Sequence, residues 1–375
     1  MKIQMYKADN GDCISIKTQS AFILIDGGTA QSFSNWSMDV TGGGKKIDAV
    51  IVTHIDNDHI NGIIKLLMHP ECPTIGKIYF NGAEQFFGKS STDNIDLRAD
   101  LKLKAIYEES KEIAEKTKIG HSEGTSLSYL ISNESYKCND IVNGNALYRE
   151  ICDHFYIGNL KLSIIGPSKD DLFNLKNIWE DKLKEKNINP RIINKCHYDS
   201  FEQYTGNIRG LLTNSHQISS AENNSIFELA NSKFYDDESP TNRSSFAFLI
   251  EHDGKKIIYL GDCHASVFIS WLDENRIDVI KVDAVKISHH GSKNNTSLEL
   301  LKRIECNKFL ISTNGQSHGH PDIETLARIA FVNADSDVEI HFNYSLDTIP
   351  DWFKDELNNN YPRTKLLMNS CEVNL

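Results

Sequence analysis

The stretch "VTHIDNDHING", Val52 to Gly62, sets His54, Asp56, Asp58 and His59 directly behind the apolar run "IDAVIV". The spacing H-x-D-x-D-H, on a tight loop and a first helical turn, lets these side chains converge from several directions, which one extended strand cannot do. Imidazole suits Zn, Fe or Mn, and carboxylates shift the preference toward harder ions. The competing reading is a helix N-cap: Asp56 or Asn57 would cap a helix starting near His59, where acidic side chains are favoured. Capping accounts for one or two of these residues and leaves both histidines without a reason, so a metal is expected here.

Three more clusters end apolar runs, where loops leave a rigid sheet and ligand sites gather. "LGDC" brings Asp262, which alone reads as a turn or cap residue. "KISHHGS" brings His289, His290 and Ser292; a single histidine there would be ordinary, but a His-His-Gly-Ser run is uncommon. "STNGQSHGHPD" brings Asn314, His318 and His320 on a glycine-containing loop, where either histidine could simply be exposed. No G-x-S-x-G or G-x-x-x-x-G-K run accompanies them, so the chemistry indicated is hydrolysis by activated water.

Strands and helices in alternation must position these clusters. "KIQMYKA", "CISIKT" and "AFILIDGG" read as strands, "KKIDAVIVTH" as a buried strand, "INGIIKLLMHP" as a helix and "IGKIYFNG" as a strand. "DLRADLKLKAIYEESKEIAEKT" reads as an amphipathic helix with Leu101, Leu103, Ile106 and Ile113 on its apolar side. After the hairpin "HFYIGNLKLSIIGPS" and a helix from about 170, the chain to Pro240 is rich in Asn, Ser and Asp and reads as a long loop or lid. Strands and helices return from "SSFAFLIEHDGKKIIYLGDC", whose His-Asp-Gly turn marks a hairpin. The expected architecture is α/β, one domain over 1–350 with excursions at about 83–158 and 168–241, and a C-terminal extension, 351–375, packed on it.

Composition narrows the class. In the 375-residue chain, 39% hydrophobic and 25% charged residues match a globular protein, and no apolar run spans a bilayer. Cys13, Cys72, Cys138, Cys152, Cys196, Cys263, Cys306 and Cys371 form no C-x-x-C pair, and the start of the chain lacks a secretory centre, so a cytoplasmic setting with reduced thiols is expected. The net charge of −12 weakens any case for nonspecific duplex binding, which needs many Lys and Arg contacts.

The ordered set "LIDGG", "THIDNDH", "NRSSFAFLI…IIYLGD", "VKISHHGS" and "SHGHP" resembles the metallo-β-lactamase fold superfamily, and within it the ComEC-like branch, over roughly 1–82 and 242–335. The resemblance implies an αββα four-layer sandwich with two insertions. It also implies that His54, Asp56, Asp58, His59, Asp262 and His289 surround one or two divalent metal ions, Zn²⁺ first, with Mn²⁺ or Fe²⁺ open because Asp56 stands where the usual pattern has His. Asp262 would bridge, Asp26 would support the loop, and which of His289 and His290 faces the metal stays open. The usual extra histidine before the bridging Asp has no match, since Asn242, Arg243 and Ser244 occupy that approach; His121, His154 or His216 from the insertions are substitutes. Asp58 would orient water or take its proton; His290, His318 and His320 would serve the oxyanion or leaving group, and Ser292 and Asn314 the substrate. The implied activity is phosphodiester hydrolysis on a nucleotide or on single-stranded or short nucleic acid. Hydrolysis of a thioester, lactone or β-lactam is the alternative, as is a regulatory subunit of a defence or signalling assembly that binds partners through the insertions.

Overall fold

The computed structural model describes residues 1–42, 44–89, 96–117, 125–208, 225–316 and 319–375. Its strands are β1 (Lys2–Met5), β2 (Ile14–Lys17), β3 (Phe22–Ile25), β4 (Lys46–Ile51), β5 (Thr74–Tyr79), β6 (His154–Ile157), β7 (Leu160–Gly166), β8 (Ala247–His252), β9 (Lys255–Tyr259), β10 (Ile280–Lys281), β11 (Ala284–Lys286), β12 (Ile304–Glu305), β13 (Lys308–Ile311), β14 (Val338–Phe342), β15 (Thr364–Leu367) and β16 (Glu372–Asn374). They form one sheet in the order β16-β1-β2-β3-β4-β5 and another in the order β15-β14-β13-β11-β9-β8-β7-β6, while β10 and β12 pair separately.

Period-two alternation decides the layers. On β3, Ile23 and Ile25 enter the core between the sheets and Leu24 turns outward; on β8, Phe248 and Ile250 face in, while Ala247 and Leu249 face the opposite way. The outer face of the first sheet is covered by α1 (Phe33–Val40), α2 (Asn57–Leu67), α4 (Leu97–Thr117), α5 (Leu127–Asn133), α6 (Lys169–Glu185) and α7 (Lys195–Thr205), with the short α3 (Ala83–Phe87) beside them. Helices Ala265–Glu274, Leu298–Lys302, Ile323–Val332 and Asp351–Asn360 cover the second. Each sheet needs both faces buried because its strands are apolar on both, so the result is a four-layer αββα sandwich. No helix of the described residues is long and apolar enough to cross a membrane.

Three details depart from or extend the sequence reading. Leu101 is 69% exposed, whereas Leu103 and Ile106 are fully buried with Ala99 and Ser110. The buried stripe of α4 follows 99, 103, 106 and 110, and position 101 lies about 200° from 103 at 100° per residue. The presumed loop after α6 contains α7, capped by the Asn194 side chain and burying His197, Tyr198, Phe201 and Thr205; that i, i+4 spacing is masked by polar neighbours. Residues 209–224, part of the expected lid, lie outside the described residues. The segment after 350 supplies an edge strand to each sheet, β15 beside β14 and β16 beside β1.

The stripe makes a direct test. Leu103→Ala is expected to cost about 2–5 kcal/mol of stability, and Leu101→Ala to stay within about 0.5 kcal/mol, both read from denaturant midpoints.

Candidate metal centre

The loop after β4 ends in Asp56, whose extended backbone (φ −135°, ψ 145°) makes it the N-cap of α2 and whose Oδ1 accepts the Asn57 N–H at 3.3 Å. The cap reading and the ligand reading are therefore compatible, because Oδ2 stands 3.7 Å from His54 Nε2. Asp58 and His59 fall in the first helical turn. A Cβ at Gly11 would lie 1.8 Å from the Asp58 carbonyl oxygen, so only glycine lets the loop bearing Asn10 and Asp12 pass against that turn.

Four imidazoles share one orientation rule. His59 Nδ1–H donates to Asp26 Oδ2 at 2.9 Å, and His290 Nδ1–H to the Ser312 carbonyl at 2.9 Å. His54 Nδ1 lies 3.0 Å from Thr53 Oγ1, whose own hydrogen goes to Asp26 Oδ2 at 2.8 Å, so the hydroxyl accepts from His54. His289 Nδ1 meets Asn295 Oδ1 at 2.9 Å. Each acceptor assigns the proton to Nδ1 and leaves Nε2 as a lone pair. These Nε2 atoms face Asp262 Oδ2 at 3.4 Å (His59), 3.7 Å (His290), 3.9 Å (His54) and 3.9 Å (His289). Those of His54, His59 and His290 are buried with no hydrogen-bond partner among the described residues.

The spacing is too long for hydrogen bonds and suits donors that share a cation. Two ligands each about 2.1 Å from one zinc at the tetrahedral angle lie about 3.4 Å apart. Ligand atoms of His54, His59 and Asp262, and of Asp58, His59 and His290, fall within 4.8 Å of one another. The donor set is nitrogen and carboxylate oxygen, so the residues fit a divalent transition ion.

The backbone is bent to achieve this. His289 and His290 both take left-handed conformations (φ 48° and 55°), followed by Gly291 at 91°. Non-glycine residues there cost about 1–3 kcal/mol each and persist where surroundings enforce them. In an extended strand these neighbours would point to opposite faces; here both rings reach Asp262.

The electrostatics demand positive charge. Burial opposes ionisation of Asp262; protonated His59, His290 and His289 rings hold its carboxyl well below the usual range, and with Nε2 left as a lone pair that positive charge has to come from a cation instead. Lys286, buried within β11, contacts Asp12, gives a hydrogen bond to the Gly261 carbonyl at 3.1 Å and lies 3.9 Å from Asp262 Oδ1. Burial works against its ammonium, but the Asp12 and Asp262 charges outweigh it and raise its pKa.

The remaining expected residues are placed as follows. Asp58 Oδ1 is 3.9 Å from His59 Nε2, and its Oδ2 accepts from Asn10 Nδ2 at 2.8 Å and lies 3.7 Å from His290 Nε2. His290 joins the cluster beside His289, with Nδ1 directed to the Ser312 carbonyl and Nε2 toward Asp262. His320 is buried, its ring 5.1 Å from that of His289. Ser292 Oγ accepts from Asn294 N and Asn314 Oδ1 from Gln316 N, both within their loops. His318, His121 and His216 lie outside the described residues; His154, on edge strand β6, pairs with Asp153. Asn10, Asp12, Asp237 and Asn295 escaped the sequence reading. Lys286 did carry a signal, a charge inside the apolar run "AVKI".

The model of the metallo-beta-lactamase superfamily matches residues 6–77, the part that holds Asp26 and the H-x-D-x-D-H loop. No curated protein matches the chain. Among solved structures, the metallo-beta-lactamase fold protein YhfI from Bacillus subtilis is similar at 10% identity and TM-score 0.40, covering 100% of this chain and 99% of its own. Zn(2+)-bound PqqB from Methylobacterium extorquens shares 13% identity at TM-score 0.40 over 100% of both chains. Human tRNase Z, short form, shares 11% at TM-score 0.37, covering 100% of this chain and 99% of its own.

The buried ion pair yields a stability prediction. Lys286→Met leaves Asp12 buried without its cation and is expected to cost about 3–5 kcal/mol. The double variant Asp12→Asn, Lys286→Met should recover much of that loss in chemical denaturation of metal-free protein, and additive losses would contradict the pairing.

Proposed function

We propose that this chain is a metal-dependent hydrolase acting on phosphodiesters, in a nucleotide or in single-stranded or short nucleic acid. The observation that carries the reading is the convergence of four Nε2 lone pairs on one buried carboxylate oxygen. His54, Asp56, His289 and Asp262 would hold one ion, and Asp58, His59, His290 and the shared Asp262 a second. Two ions also suit the charge balance: Asp12, Asp26 and Asp262 share one buried lysine, and Asp56, Asp58 and Asp237 stand against the histidines. Zinc suits the imidazoles; the carboxylate at Asp56, where the usual pattern has His, makes manganese or iron competitive.

A divalent ion bound here would acidify a water molecule toward neutrality and polarise a phosphoryl oxygen. The protein residues do the rest. Asp58, with its side chain 22% exposed and one oxygen held by Asn10, is positioned to orient the attacking water and accept its proton. Asp26 and Thr53 hold His54 and His59 in place, which would limit the reorganisation that reaction requires. His320, beside His289, is the group to protonate a leaving alkoxide, with Ser292 and Asn314 shaping the adjoining loops. The likeness to ComEC-like motifs favours a phosphodiester, and the acidic chain disfavours long duplexes.

Protein purified without added metal is expected to carry near-stoichiometric transition metal by elemental analysis. Hydrolysis of bis(p-nitrophenyl) phosphate should fall by at least about 10²-fold in Asp58→Ala and on chelation. A chain that holds no transition metal would sink the proposal, and turnover of thioester, lactone or β-lactam substrates alone would move it to that class.

A further inference from the structure

We infer that Asp237, carried by the second excursion of the chain, is a positioning residue that fixes His289 as a metal ligand and so replaces the support lost with the missing histidine. This rests on the ligand set proposed above.

Asp237 sits outside the strands that frame the centre, yet its side chain is only 12% exposed and points at them. Its backbone N–H is tied to the Asn294 carbonyl at 3.0 Å, and its Oδ1 accepts from Ser239 N at 2.9 Å. Oδ2 accepts from Asn242 Nδ2 at 2.6 Å and from Asn295 Nδ2 at 3.1 Å, and lies 3.4 Å from His289 Nδ1. Asn242 occupies the approach where the common pattern has its extra histidine, so here that position serves Asp237 instead.

The network has a fixed polarity, because a carboxylate only accepts. The Asn295 amide group faces three acceptors, Asp237 Oδ2, the Asp262 carbonyl at 3.2 Å and the Cys263 carbonyl at 3.3 Å. Its Oδ1 must therefore face His289, which puts the ring hydrogen on Nδ1 and the lone pair of Nε2 toward Asp262. Without the carboxylate, Asn295 keeps the Asp262 and Cys263 carbonyls but loses its link to Asn242, and His289 Nδ1 loses the second acceptor beside it, which weakens the preference for hydrogen on Nδ1 and for a lone pair on Nε2. Partners of this kind typically change metal affinity 10–100-fold. The consequence is that an excursion outside the superfamily-like segments completes one half of the centre.

Zinc content and affinity by chelator competition, with ¹⁵N NMR of the histidine rings in metal-free protein, test this on wild type, Asp237→Ala, Asp237→Asn and Asp237→Glu. Wild type should bind two ions. Asp237→Ala should keep one and bind the other about 10–100-fold more weakly, with His289 shifted toward the Nε2–H tautomer. Asp237→Glu should recover part of the loss. Melting of the metal-free proteins controls for folding, and the isosteric Asp237→Asn carries the comparison if the alanine variant unfolds. Wild-type zinc affinity and an unchanged His289 tautomer in Asp237→Ala overturn the inference alone; a wild type that binds no transition metal overturns the proposed function and the inference together.

Discussion

One buried carboxylate organises this molecule. Asp262 leaves the end of β9 at 2% exposure with four imidazoles around its Oδ2. An isolated carboxylate at such depth would be strongly disfavoured, so the buried ammonium of Lys286, 3.9 Å from its Oδ1, is part of what lets it stay ionised. Lys286 comes from the neighbouring strand β11, His54 and His59 from the other sheet, and His289 and His290 from the turn after β11. The two sheets meet at this point through charge as well as through the apolar core between them.

Precision here is bought with local strain. Two consecutive left-handed histidines are tolerable only because the turn is held from several sides. The Ser312 carbonyl holds one ring and Asn295 the other, while Arg328 donates to the Lys293 and Thr296 carbonyls and steadies the loop beyond. Lys293 in turn reaches Glu324. The orientation of each imidazole thus depends on residues one step removed, which is how a constellation stays preorganised.

The helical excursion on the first sheet follows the same physics at a distance. Glu202 of α7 accepts the Leu127 and Ser128 backbone N–H groups at 2.6 and 2.9 Å, satisfying the start of α5. Its burial pushes the carboxyl up to about 7 despite those bonds. Trp179 of α6 donates to His197 of α7 at 2.7 Å, which requires a neutral imidazole acceptor, and burial lowers the pKa of that ring to about 4.

Much of the frame was legible from the residues alone. The apolar runs, the Asp253-Gly254 turn with positive φ at both positions, and the ligand-type clusters at strand ends are local properties of sequence. The face of α4 was misjudged at Leu101 because a helix decides its buried stripe by what packs on it, here α7, which polar residues hid. Asp237 and Asn295 were invisible for a related reason: 58 residues separate them, and neither lies in a recognisable run. Sequence determined the residue types able to hold a metal and the strands that carry them. Only the tertiary structure decided that both His289 and His290 face Asp262 and that Asp237 stands behind one of them, because left-handed backbone and long-range hydrogen bonds exist only once the sheets have closed.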